Sequence, residues 1–257
     1  SGSITQEKLD QLIKDLDIDY IDLKDPNKFE FLLPIYSRIK VEQAVKQLRQ
    51  ADIALFSVYV WNARLSLKIA ETLKNFNPKI IIAFGGPHVP DNGEEFLRQN
   101  TFVDIACHKE GEKIICPLLE NCKEKNWEDV PSISYLDQKN NYIQNPWAKR
   151  IRDLDEIPSP YTEGIFDTLI KANPHERWLV MWETNRGCPF SCTFCDWGSA
   201  TNSKVARMHL DRVFAELDWF SKNKVEFIFC CDANFGMLPR DYDIALKAAE
   251  NKKKYGY

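Results

Sequence analysis

Asp52-Ile-Ala-Leu-Phe-Ser-Val-Tyr-Val60, followed by Lys79-Ile-Ile-Ile-Ala-Phe84, decides the fold. Both are near-continuous apolar runs of strand length, and such runs belong to strands covered on both faces. Between them Leu65, Ile69, Leu73 and Phe76 recur at helical spacing. Before the first run Val41, Ala44, Val45 and Leu48 mark another helix. After the second, Phe102-Val-Asp-Ile-Ala106 reads as a third strand, and Ile114, Ile115, Leu118, Leu119 and Cys122 line the helix after it. Strands alternating with helices predict an α/β domain with a doubly wound parallel sheet.

Working outward, residues 5–16 read as a helix with Leu9, Leu12, Ile13 and Leu16 on one face. On the other side, Ser132–Leu136 and Asn141–Gln144 flank the polar run Asp-Gln-Lys-Asn and predict a hairpin. Asp155-Glu-Ile-Pro-Ser-Pro160 is punctuated by proline and leaves little room for regular structure. The β/α pattern then restarts. Trp178–Thr184 is a strand, a cysteine-rich loop follows, and Leu210, Val213, Phe214, Leu217 and Phe220 form the buried stripe of a helix. Val225–Cys231 is a second strand and residues 241–254 a second helix, whose Lys252-Lys253-Lys254 run reads as a solvated end. Two β/α units neither close a barrel nor cover a sheet, so this part reads as incomplete. The resulting division is an N-terminal segment at 1–30, an α/β domain at 31–127, a linker with hairpin at 128–175 and a partial β/α domain at 176–257.

The chain has 257 residues, 44% hydrophobic and 28% charged, a globular profile. Its 34 basic and 38 acidic residues are intermixed, which gives no footprint for nucleic acid. No apolar run reaches the roughly 18 residues of a membrane span, and Ser1-Gly2-Ser3 followed by charged residues has no signal-peptide character. The eight cysteines are not spaced as a disulfide framework, which favours a reduced, cytoplasmic setting.

Three of those cysteines crowd into Cys188-Pro-Phe-Ser-Cys192-Thr-Phe-Cys195. Thiolates at offsets of four and three, in a loop after a buried strand, converge on one side of a metal centre. An iron–sulfur cubane normally takes four thiolates, so three would leave one iron for a non-protein ligand. Zinc is the competing reading, with His209, Cys230 or Cys231 as fourth ligand. Ligands in parallel β/α folds gather at the carboxyl ends of strands. That places Asp232 and Asn234, in Cys231-Asp-Ala-Asn-Phe-Gly236, near the cysteine loop, with turn capping as their alternative use. Cys230 and Cys231 read as buried strand residues, and Glu183, Asn185 and Arg186 lead into the loop. Neither a phosphate-binding glycine loop nor a hydrolase triad is present at recognisable spacing.

The Cys-x3-Cys-x2-Cys spacing, with Phe194 before the last cysteine, resembles the radical S-adenosylmethionine (SAM) superfamily. The resemblance implies a 4Fe-4S cluster on Cys188, Cys192 and Cys195, with SAM on the fourth iron and cleaved to a 5′-deoxyadenosyl radical. It also implies that Phe194, Asp232 and Asn234 face SAM, although Cys-Asp-Ala-Asn stands where the superfamily usually carries Gly-Gly-Glu. The α/β half resembles the Rossmann-like cobalamin-binding domain that precedes the radical SAM barrel in one branch. The matching residues are Ser57, Tyr59, Trp61 and Asn62 after one strand, Gly85, Gly86, Pro87 and His88 after the next, and Gly111 and Glu112 after the third. These are three loops at the carboxyl ends of adjacent strands, where a flat cofactor lies. The Asp-x-His-x-x-Gly signature of a histidine-ligated cobalt is absent, since Asp104-Ile-Ala-Cys-His108 is spaced wrongly and His88 is followed by Val-Pro-Asp-Asn-Gly, so no cobalt ligand is named.

The branch implies methyl transfer to an unactivated carbon. Radical rearrangement or cyclisation is the alternative chemistry; a non-catalytic cobalamin or iron–sulfur module and a zinc-stabilised interaction domain are the alternative classes. An external electron donor, an unidentified small-molecule or peptide substrate, and a partner chain or further C-terminal segment completing the barrel are implied with it. Neither nucleic acid nor membrane is expected as a partner.

Overall fold

The computed structural model describes residues 35, 38–195 and 204–256. The predicted helix at 5–16, and the whole of segment 1–30, lie outside them. The chain divides into two compact units, with the boundary between Arg150 and Ile151.

In the first unit α1 (Val41–Leu48), β1 (Ile53–Ser57), α2 (Ala63–Phe76), β2 (Ile81–Gly85), α3 (Glu94–Gln99), β3 (Ile105–Cys107) and α4 (Ile115–Asn121) alternate, and the hairpin β4 (Ile133–Leu136) and β5 (Tyr142–Gln144) follows. The sheet order is β1-β2-β3-β4-β5. β1, β2 and β3 are parallel, β4 runs antiparallel to β3 and β5 to β4. The pleat sorts β2 into two layers. Ile82 and Phe84 pack with Val45 of α1, Ala70 and Leu73 of α2 and Leu97 of α3. Ile81 and Ala83 pack with Ile105, Ile133 and Leu118 of α4. Helices on both faces explain why these strands are apolar without alternation. Burying side chains such as Phe84, Ile82 and Leu73 completely stabilises the unit by roughly 1.5–3 kcal/mol each.

The hairpin is placed differently from the sequence reading, which put it in a linker at 128–175. It extends the main sheet, because Ile133 and Tyr135 complete the apolar layer under α4. The short helices α3 and α5 (Asp167–Ala172) were not foreseen. Each has six residues, too few for a hydrophobic period to declare itself. Phe76, the last of the residues at helical spacing along α2, is exposed at its end.

The second unit contains α5, β6 (Leu179–Trp182), β7 (Asn185–Arg186), β8 (Ala206–Arg207), α6 (Leu210–Lys222), β9 (Phe227–Cys230) and α7 (Arg240–Tyr255). β6 and β9 pair in parallel from Leu179↔Phe227 to Trp182↔Cys230; β7 and β8 form a short antiparallel ladder. One face of the β6–β9 sheet packs Trp182, Val180 and Ile228 against Val213, Leu217 and Phe220 of α6 and Ile244 of α7. Trp182 meets Phe220 edge-on at 5.7 Å and donates its indole N–H to the buried Glu216 carboxylate at 2.6 Å. Arg212 answers the other oxygen of Glu216 at 3.1 Å and donates to the carbonyl of Leu154. On the opposite face Leu179, Met181, Phe227 and Phe229 are all exposed.

Candidate functional site

In the first unit the strand ends are levelled by register, since Ser57 stands opposite Gly85. The chain after β1 is pinned there. The Val58 N–H donates to the Gly85 carbonyl at 2.7 Å, and the His88 N–H donates to the Val58 carbonyl at 3.1 Å. This closeness is what Gly86 permits. Its φ is +102°, and a Cβ there would lie 2.7 Å from the Val58 oxygen and 2.9 Å from the Val58 nitrogen, both backbone atoms. Asn62 closes the next turn by accepting from the Tyr59 N–H at 2.7 Å and donating to the Ser57 carbonyl at 2.9 Å. The turn presents Tyr59 stacked on Trp61, with centroids 4.7 Å apart and planes 11° apart, and Trp61 is 74% exposed.

Ser57, Tyr59, Trp61, Gly86, Pro87, His88, Gly111 and Glu112 are exposed, and Asn62 and Gly85 partly so. Ser57 and Gly85 end β1 and β2, and the other eight lie on the segments that follow β1, β2 and β3. A Cβ on Gly111 would meet nothing within 4 Å. Open backbone at Gly111 and an exposed aromatic pair on the loop after β1 suit a flat, largely apolar macrocycle.

Beneath these loops lies a residue the sequence reading passed over as wrongly spaced. His108, directly after β3, is 2% exposed, and its Nε2 lies 2.9 Å from the Ser134 hydroxyl. Its Nδ1 has no hydrogen-bond partner among the described residues. Burial lowers its pKa, with Asp91 acting against the shift and Lys109 with it. Lys109 pairs with Asp91 at 2.8 Å and lies over the Trp147 ring.

In the second unit the cysteine loop leaves the carboxyl end of β6, and the segment after β9 comes alongside it. Asp232 accounts for that juxtaposition. One carboxylate oxygen accepts from the N–H groups of Thr184 and Asn185 at 2.6 and 3.0 Å. The other accepts from the Thr184 hydroxyl and the Asn185 amide at 2.5 and 2.8 Å. Of its two expected uses the structure displays the capping one, with four donors on two oxygens. Arg240 holds the same corner from α7, donating to the carbonyls of Thr184 (2.9 Å) and Met208.

Gly187, at φ +118°, turns the chain into Cys188. Cys188 is buried, whereas Cys192 and Cys195 are exposed and joined by a turn in which the Cys195 N–H donates to the Cys192 carbonyl at 3.2 Å. The Asn234 amide donates to the Cys188 sulfur at 3.1 Å. Phe194 is 91% exposed. Glu183 and Arg186 pair with each other at 2.8 Å.

All eight cysteines are free thiols. Burial pushes the Cys230 thiol up to about 11 and raises that of Cys231, which keeps both protonated at neutral pH. Tetrahedral zinc with bonds of about 2.3 Å needs its sulfurs about 3.8 Å apart. Among the described residues, the set of ligand atoms gathered within 4.8 Å is Asp153, Asp155 and His209, without a cysteine. His209, an expected fourth ligand, therefore sits with carboxylates. Three soft donors on one loop, not gathered as a set within 4.8 Å, fit a cubane, whose thiolates bind different irons. Among the described residues no helix is long and apolar enough to cross a membrane.

The α/β fold with three carboxyl-end loops and, in the same chain, a cysteine triad after a strand resemble what cobalamin-dependent radical SAM enzymes contain, and the comparisons with known proteins point the same way. Residues 9–119 match the B12 binding domain family. The chain is 38% identical over 233 residues to the cobalamin-dependent radical SAM methyltransferase TokK of Streptomyces tokunonensis, and it is homologous to that group. It is 36% identical over 232 residues to the 2-(S-pantetheinyl)-carbapenam-3-carboxylate methyltransferase of Streptantibioticus cattleyicolor. Each match takes in 89% of this chain and 34% of the relative, so the chain spans about a third of their length. The fold matches that of the cobalamin-dependent SAM radical enzyme OxsB, solved with aqua-cobalamin and SAM, at a TM-score of 0.63 and 24% identity. That match covers 84% of this chain and 31% of the other.

Proposed function

We propose that this chain is the cobalamin-binding and cluster-binding portion of a cytoplasmic radical SAM methyltransferase that acts on an unactivated carbon. The observation that carries the reading is the cysteine loop at the carboxyl end of β6, clasped by Asp232 and Asn234 from the exit of β9. The loops at 57–62, 85–88 and 111–112 hold cobalamin, with Tyr59 and Trp61 against it. Cys188, Cys192 and Cys195 hold a 4Fe-4S cluster. When bound, the cluster with SAM supplies a carbon-centred radical and cobalamin supplies the methyl group.

The protein's own work is placement. Asp232 and Arg240 fix the corner from which the cysteine loop departs, and Gly86 fixes the strand-end level at which the cobalamin loops open. The exposed apolar face of Leu179, Met181, Phe227 and Phe229 is covered by further β/α units, on a longer chain or a partner. The substrate surface comes with them, and an external low-potential donor supplies electrons. The 257 residues alone are accordingly expected to show little or no turnover.

Metal and acid-labile sulfide content, with an absorption spectrum, tests the reading on chain reconstituted anaerobically with iron and sulfide. About four of each per chain, lost in the Cys188→Ala, Cys192→Ala, Cys195→Ala variant, is the expected result. A cobalamin titration should saturate at one per chain in both proteins. One zinc per chain without sulfide would overturn the reading.

A further inference from the structure

The three cysteines of the loop are not equivalent. Cys188 is buried and accepts a hydrogen bond from a neutral side chain, while Cys192 and Cys195 face solvent. From this asymmetry we infer that Asn234 is a positioning residue that sets the reduction potential of the cluster by donating its amide N–H to the Cys188 thiolate. The inference rests on the proposed cluster site and assigns Asn234 a task separate from contact with SAM.

The geometry is held from both sides. Trp182↔Cys230 pairing aligns the ends of β6 and β9, so the loops carrying Cys188 and Asn234 start level. Asp232, two residues before Asn234, ties its loop to Thr184 and Asn185. Asp241 ties the far end by accepting from the N–H groups of Gly236 and Leu238, both at 2.9 Å. Gly236 makes the intervening bend at φ +95°. Asn234 thus reaches sulfur from a loop fastened at both ends. A thiolate offers no proton, so the amide nitrogen faces it.

The chemistry follows from charge. Reduction adds one electron and one negative charge, shared between the irons and the ligating sulfurs. A donor aimed at sulfur stabilises the reduced form more than the oxidised one and raises the potential. The effect is strongest where water does not compete, and Cys188 is the buried thiol of the three. The couple is a one-electron one. Dithionite supplies the electron in the test, a low-potential protein donor supplies it in use, and no bond is made or broken.

The experiment is a potentiometric titration of the reconstituted chain, followed by electron paramagnetic resonance with SAM omitted, on wild type, Asn234→Leu and Asn234→Asp. Leucine keeps the volume and removes the donor; aspartate replaces the donor with a negative acceptor. Both are expected to take up iron and sulfide and to titrate at lower potential, aspartate lowest. A tenfold fall in the reduced-to-oxidised ratio at the wild-type midpoint corresponds to about 59 mV. If leucine impairs cluster uptake, Asn234→Ser, with a shorter donor, should fall between wild type and aspartate. Equal potentials in cluster-loaded proteins would overturn the inference, and equal potentials with weakened SAM binding would make Asn234 a SAM contact instead. A wild-type chain that takes up no cluster would sink the underlying reading, an outcome distinguishable from the other two.

Discussion

The two units build the same kind of ligand-facing corner by different means. In the first, loops at the ends of β1 and β2 are levelled by backbone meeting backbone: Val58 bonds to Gly85, His88 bonds to Val58, and Gly86 leaves the space. In the second, the like backbone bond, from the Cys231 N–H to the Trp182 carbonyl at 2.6 Å, is supplemented by side chains, with Asp232 and Arg240 gathering Thr184, Asn185 and Met208. Steric levelling needs no charge and leaves the loop surface open to a large apolar ligand. A carboxylate clasp places individual atoms, which suits the loop proposed to bring three thiols to one cluster. The surroundings differ as well. The first sheet has a core layer on each face, whereas the β6–β9 pair has one packed face and one exposed apolar face.

A pair of glycines puts the contrast to its sharpest test. Gly86 and Gly236 both have φ near +100°, but a Cβ on Gly236 would meet nothing within 4 Å. Gly86→Ala therefore combines backbone strain with a clash against Val58 and should cost about 3 kcal/mol, localised by hydrogen exchange to the first unit. Gly236→Ala carries strain alone and should cost about 1 kcal/mol. Equal losses would remove the steric half of the comparison.

Next in size is Asp232→Ala, which leaves the N–H groups of Thr184 and Asn185 without their acceptor in a buried corner. A loss of about 2 kcal/mol in urea unfolding is expected, with faster exchange confined to peptides of the second unit. Faster exchange in residues 53–90 would show that the clasp is not local.

The smallest effect concerns acid. His108 is buried next to Ser134, and its folded pKa lies below the ordinary 6.5. The unfolded chain then binds the proton more readily. Stability contributed by the neutral imidazole is complete above pH 6.5 and is lost as pH falls through the lower folded value. His108→Gln should flatten that part of the stability–pH curve for the first unit and leave the second unchanged. An unaltered slope would place the titrating group elsewhere.

Much of this was legible in residue order. Ile80–Phe84 announces a strand covered on both sides, and the spacing of Cys188, Cys192 and Cys195 announces a metal-ligating loop after a strand, with the cluster itself implied by the family resemblance. The hairpin was legible as a hairpin but not as part of the sheet, because sequence shows the alternation of Ile133 and Tyr135 without showing what they cover. The reading of Val225–Cys231 as one more apolar strand concealed that Phe227 and Phe229 face away from the core. Asp232 was found with two uses left open, because a carboxylate near a ligand site and one that caps a turn look identical until its four donors are seen. His108 was dismissed for its spacing, and only burial reveals it.

Asp232 and Asp241 stand with eight residues between them, and both ends of that segment are fastened. The segment is therefore a ruler as well as a loop. Side chains at exposed Phe235 can change without moving Asn234, whereas adding or removing one residue shifts every atom between the two fastenings by up to about 3 Å. That exceeds what a 3.1 Å contact to sulfur can absorb. Length, more than side-chain identity, is the property this stretch has to keep.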